Sequence, residues 1–75
     1  MKVGEVWLYR LDYPTELSNY LRVKIVKMFL YNGYGLKNLE MLEYICLNAL
    51  DEERNGIPIS IRVDEFLDSF NKVYE

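Results

Sequence analysis

Ile57, Ile59, Ile61 and Val63 occupy alternate positions, with Pro58, Ser60 and Arg62 between them. Such a period of two places one apolar row on a single face of an extended strand. The period then changes. From Asp64 to Glu75 the apolar residues Phe66, Leu67, Phe70, Val73 and Tyr74 fall at the spacing of one helical stripe. Asp64 suits the N-cap, Glu65 the first turn and Lys72 the last turn of that helix. A half-buried strand that runs straight into a short amphipathic helix constrains the chain to a small fold in which a sheet packs against a terminal helix.

The rest of the chain supplies that sheet. Val6-Trp7-Leu8-Tyr9 is an aromatic and β-branched run suited to a first strand, and Pro14 opens a polar loop after it. Leu21 to Tyr31 reads as a long second strand. Leu21, Val23 and Ile25 alternate with Arg22 and Lys24, but at Ile25-Val26 the parity reverses: Lys27 takes the formerly apolar parity, and Val26 and Met28 the other. A reversal within one strand implies a bulge or sharp bend, which lets one strand serve two sides of a small barrel. Asn32-Gly33-Tyr34-Gly35 is a turn signal, since both glycines tolerate positive φ. The segment from Leu39 to Leu50 fits a strand over Met41 to Leu47, facing Ile57–Val63 across the loop Asp51–Gly56. Its alternative is a helix at 39–50, which would make the fold α+β. The expected architecture is thus mainly β with a C-terminal helix: a small SH3-like barrel, or a bent antiparallel sheet of four to five strands.

Seventy-five residues form one domain. A core of this size rarely supplies more than about 3–5 kcal/mol without a covalent or metal staple. Cys46 is the only cysteine, so no intramolecular disulfide forms, and without histidine or a cysteine cluster no zinc site is expected. Stability must then come from the 51% hydrophobic composition, which is too apolar for a disordered chain. Met1 to Trp7 lacks the long apolar run of a signal peptide, and no window approaches a membrane span. With one unpaired cysteine and no export signal, the cytoplasm is the expected compartment.

The opening Gly4-Glu5-Val6-Trp7 and the closing Phe66-Leu67-Asp68-Ser69-Phe70 give the chain a resemblance to the small SH3-like barrel proteins of unassigned function found in bacteriophages and bacteria. The resemblance is carried by strand pattern and apolar anchors over most of the chain. It implies a phage-encoded modulator or inhibitor that binds and redirects a host protein. Leu11-Asp12-Tyr13-Pro14 only echoes the groove motif of eukaryotic SH3 domains, with the order broken and the alanine missing.

No enzymatic constellation is visible. Without histidine the commonest general base is missing, and so is the usual partner of a serine or cysteine nucleophile. Cys46 lies in an apolar run and reads as a small buried hydrophobe. Asp51, Glu52 and Glu53 lack the alternate-residue oxygens of a calcium loop and read as a solvated turn. Neither a metal nor a cofactor is expected.

Tyrosine is the better functional signal. Tyr44 and Tyr74 fit the core pattern, with Tyr9, whereas Tyr13, Tyr20, Tyr31 and Tyr34 lie in or beside loops. Tyrosine is enriched at protein interfaces, so these four are the candidate partner contacts of a protein-binding module or of a self-associating barrel, with Asp51–Glu53 as a rim. The alternative is a small barrel binding single-stranded nucleic acid through Arg22, Lys24 and Lys27, with aromatics interleaved. The net charge of −3 weighs against that alternative, because phosphate binding favours a basic surface.

Overall fold

The computed structural model describes residues 1–9, 21–49 and 52–72. Among them, five antiparallel strands form one open sheet: β1 (Val6–Tyr9), β2 (Arg22–Gly33), β3 (Leu36–Cys46), β4 (Ile59–Arg62) and β5 (Phe70–Lys72). The order across the sheet is β4-β3-β2-β1-β5, and α1 (Val63–Ser69) connects β4 to β5. The chain is therefore mainly β with one helix near its C-terminus. The helix at 39–50 does not form, because Leu36–Cys46 pairs along its length with β2.

The sheet is strongly curved. β4 and β5 are its two edges, four strand spacings apart, or roughly 19 Å if the sheet were flat. The seven-residue helix that joins them rises only about 10 Å. Packing agrees: the rings of Tyr44 on β3 and Phe70 on β5 are 5.4 Å apart although β2 and β1 lie between their strands. The bend has a local cause. Pairing shifts by one residue between Ile25 and Lys27, so Val26 is bulged out, at the place where the sequence parity reverses. Val23 and Ile25 before the bulge are fully buried, and Met28 after it sits opposite fully buried Leu42.

The core fills the concave side. Phe66 of α1 is fully buried, 5.2 Å edge-on from Trp7 and stacked at 4.5 Å on Phe70. Val23, Ile25, Leu42 and Cys46 complete it, with Tyr44, Ile61 and Val63 packed against its margin. Aromatic pairs of this geometry are worth about 0.5–1.5 kcal/mol each beyond the area they bury.

The terminal segment departs from expectation. The helix ends at Ser69, and Phe70–Lys72 becomes β5, paired with β1 through Tyr9↔Phe70 and Trp7↔Lys72. Continuing the helix would leave the edge of β1 unpaired, whereas the strand satisfies it and still buries Phe70. Leu67, expected in the buried stripe, is consequently 45% exposed. Val73 and Tyr74 lie outside the described residues. The N-cap is Arg62 with no side-chain cap, and Asp64 sits inside the first turn. Its carboxylate accepts from the Arg62 guanidinium at 2.6 and 3.1 Å and from the Glu65 N–H. Lys72 leaves the expected last turn to meet Glu5, the residue before β1, Nζ to Oε2 at 2.6 Å.

The alternating row Ile57–Val63 is only partly buried. Ile61 and Val63 pack on the core, while Ile57 precedes β4 and, like Ile59, is exposed. β4 is an edge strand, and its first half borders an open depression shared with Leu21, Tyr44 and Cys46.

Candidate protein-binding hairpin

β2 and β3 are much longer than their neighbours, with 12 and 11 residues against four in β1 and four in β4. β1 covers only Arg22–Lys24 of β2, and β4 covers only Met41–Tyr44 of β3. Beyond those pairs, among the described residues, the two strands continue as a two-stranded hairpin, which explains a molecule 42 Å long but only 25 by 23 Å across.

The tip of this hairpin is tightly built. Gly33 pairs with Leu36 around the two-residue loop Tyr34-Gly35, whose φ values of 49° and 80° are both positive, as a type I′ turn requires. Of the two glycines expected to use positive φ, only Gly35 does so. Tyr34 takes the first position, unusual for so large a residue, and holds its ring 97% exposed. Gly33 serves a different purpose: a Cβ there would lie 2.8 Å from the Tyr31 hydroxyl, so its bare face receives the Tyr31 ring. A second register shift follows, with Asn38 at φ 55° and its N–H donating to Asn32 Oδ1 at 2.9 Å.

Cross-strand pairing sorts the side chains of the hairpin. Phe29 faces Met41, and Tyr31 faces Leu39, all on the convex side away from the core. These four, with Ser60 and Arg62 of β4, line a shallow depression of about 490 Å³ that is almost wholly apolar. Met28 and Leu30 project on the concave side, and both are exposed. Natural sheet edges are ordinarily blunted by charge or cover; here Lys27, Lys37, Glu40 and Glu43, with Asn32 and Asn38, share the arm with apolar residues on both faces.

The expected site residues distribute unevenly over this surface. Tyr31 and Tyr34 both lie on the arm. Tyr13 and Tyr20 fall outside the described residues, as does Asp51 of the acidic rim, while Glu52 and Glu53 are exposed in a 3-10 turn, Glu52–Arg54. Arg22, Lys24 and Lys27 share the convex face of β2 and are all exposed, and Lys27 Nζ stands 5.2 Å above the Phe29 ring. Lys27 is paired across the ladder with Glu43. Phe29, Leu39 and Met41 are additions to the site: in sequence they read as ordinary strand alternation. Unequal strand length is the signal that exposes them, since a long pair flanked by short strands must project.

Two polar groups elsewhere are notable. The Glu5 carboxylate is held down to a pKa of about 2, chiefly by its hydrogen bond with Lys72 and then by the Lys2 N–H. Burial raises the Tyr44 hydroxyl above its ordinary value of 10.0, with Cys46 and Tyr9 adding to the shift. Among the described residues no helix is long and apolar enough to cross a membrane.

No known family matches the chain, and neither a curated protein nor a solved structure shows significant similarity to it.

Proposed function

We propose that the chain is a non-enzymatic protein-binding module of the cytoplasm, a small incompletely closed SH3-like barrel that engages its partner with the convex face of the projecting β2–β3 hairpin. The observation that carries this reading is the apolar depression formed by Phe29, Tyr31, Leu39 and Met41 where, among the described residues, the arm runs out past the end of β4. Exposed apolar patches with a polar rim mark interaction sites in soluble proteins. Aromatic anchors of this kind carry most of the energy of an interface. Tyr34 at the tip and Tyr31 over Gly33 extend the contact surface. Arg62 and Lys27 form its charged margin. The curvature of the sheet and the helix linking its two edges support the barrel. The likeness of Gly4–Trp7 and Phe66–Phe70 to phage and bacterial SH3-like proteins supports a host protein as the partner, with the chain acting as its modulator.

A second reading rests on a separate observation. Arg22, Lys24 and Lys27 align along one face of β2 and run into Phe29 and Tyr31, a cation row continued by aromatics that suits single-stranded nucleic acid. The two readings separate in one experiment. The tagged protein is used to capture partners from host lysate, with and without nuclease, alongside a Phe29→Ser/Tyr31→Ser variant and an Arg22→Gln/Lys24→Gln/Lys27→Gln variant. A specific protein that survives nuclease and is lost from the aromatic variant is the expected result. Recovery of nucleic acid alone, released by the triple variant and by rising salt, means that the protein-module reading is wrong.

A further inference from the structure

The concave side of the arm holds a second groove, which shares Phe29 and Met41 with the convex depression. This groove of about 680 Å³ opens between the hairpin and α1, with Met28 and Leu30 on one wall, Val63 and Leu67 on the other, and Trp7 and Met1 between them. Trp7 is 93% buried, being 7% exposed, and its indole Nε1 has no hydrogen-bond partner and no contact with solvent. It is the only such side-chain group among the described residues. Buried N–H groups are almost always paired, so one left over in a residue that lines an open groove marks a place where an acceptor is missing.

We propose that this groove takes an extended apolar segment of the partner protein, one of whose carbonyl oxygens accepts the Trp7 indole N–H. This deepens the protein-binding reading and rests on it. The chemistry of the groove selects the occupant. Its lining is mostly aliphatic, thioether and aromatic, with Glu40 and Lys72 as its charged members, which calls for apolar side chains, and its one unsatisfied group is a donor, which calls for an acceptor. A peptide strand presents both at fixed spacing. Leu30 at 58% and Leu67 at 45% exposure leave the groove open along its length. A small molecule there would stay largely in water, whereas buried ligand sites enclose most of their occupant. A polypeptide brings its own cover. Nε1 is closed off from solvent, so the lining must shift for an acceptor to reach it, and Met1 and Met28 in the same lining are side chains that move readily.

The test uses the single tryptophan of the chain, whose indole N–H gives one isolated proton–nitrogen resonance. The probe is the capped peptide acetyl-Leu-Ser-Leu-Ser-Leu-amide, with toluene as an apolar probe that lacks an acceptor. The peptide is expected to move the indole proton downfield in a saturable titration and to slow its exchange with water. Toluene is expected to shift the methyl groups of Met28, Leu30 and Leu67 without that downfield change. Leu30→Glu and Leu67→Glu alter exposed positions, so the free proteins keep the wild-type amide spectrum while peptide affinity falls tenfold or more. The proposal is overturned if the peptide leaves the indole resonance unmoved, or if both variants bind it as wild type does. It is also overturned if a host partner lost from the Phe29→Ser/Tyr31→Ser protein is still held at full affinity by the Leu30→Glu/Leu67→Glu protein. In that case binding by the convex face survives and only the groove falls.

Discussion

The body of the sheet and the projecting arm are built from the same two strands, yet they meet opposite fates. In the body, β2 and β3 have neighbours on both sides and a helix above, so Val23, Ile25 and Leu42 are fully buried. On the arm apolar residues continue past the bulge, but among the described residues β1 has ended and β4 reaches only to Met41. Phe29, Leu30 and Leu36 are no less apolar than the core residues. What differs is the cover. A hydrophobic pattern therefore specifies a face that prefers burial, and the lengths of the neighbouring strands decide whether the chain itself supplies that burial.

The largest effect should come from the body. Phe66→Ala removes a fully buried ring that touches Trp7, Tyr44 and Phe70, and its expected cost is about 3–5 kcal/mol. That equals the whole stability expected of so small a core. Urea titration followed by far-ultraviolet circular dichroism should find the variant unfolded, or nearly so, at 25 °C. The matching change on the arm, Leu30→Gln, should alter stability by no more than about 0.5 kcal/mol, as surface substitutions do. Comparable losses at the two positions would erase the distinction between body and arm.

Native-state hydrogen exchange sharpens the same contrast. Amides of Val23 to Ile25 lie in a ladder flanked by β1 and β3, and should exchange only through global unfolding. Amides of Leu30 to Asn32 belong to a two-stranded segment, which is marginal in water. They should exchange through local opening at least tenfold faster. Uniform protection along β2 would mean that the arm is covered in solution, by a second copy or by a partner carried through purification.

Much of the body was legible from the chain itself. The parity reversal at Ile25-Val26 located the bulge, because side chains of a strand cannot change face without an extra residue. The strand over Leu36–Cys46 competed with a helix until its partner was known, since β-structure is decided by pairing as much as by local preference. The end of the helix was not legible. Phe66 and Phe70 satisfy a helical stripe equally well whether Phe70 closes the helix or opens β5, and only the unpaired edge of β1 settles the choice. Of the site, Tyr31 and Tyr34 were marked by the glycines beside them. Phe29, Leu39 and Met41 were hidden, since nothing in their own pattern says that the neighbouring strands stop short.

A smaller effect concerns the acid stability of the body. Glu5 and Lys72 tie β1 to β5, and the carboxylate has a folded pKa of about 2 against an ordinary 4.5. A depressed carboxylate contributes stability that is present above the unfolded value and is lost as pH falls toward the folded one. The urea midpoint of the wild type should therefore decline between about pH 4.5 and 2, and Glu5→Gln should flatten that part of the profile while leaving the arm's exchange rates unchanged. An identical decline in Glu5→Gln would assign the acid sensitivity to other carboxylates.

The smallest effect lies at the tip of the arm, where it bears most directly on function. A type I′ turn favours asparagine at the position that Tyr34 occupies with φ 49°. Tyr34→Asn should thus relieve backbone strain and raise stability slightly, by a few tenths of a kcal/mol up to about 1 kcal/mol. Gly35→Ala, placed where φ is 80° and a Cβ is strained, should lower it by about 1 kcal/mol. The useful comparison is between stability and capture of the partner. If Tyr34 is held in an unfavourable conformation for the contact its exposed ring makes, the asparagine variant will be more stable and bind less well. The alanine variant will be less stable and bind nearly as well, since it keeps the ring. A Tyr34→Asn protein that gains stability and captures its partner undiminished would remove the tip from the interface and confine binding to the face formed by Phe29, Tyr31, Leu39 and Met41.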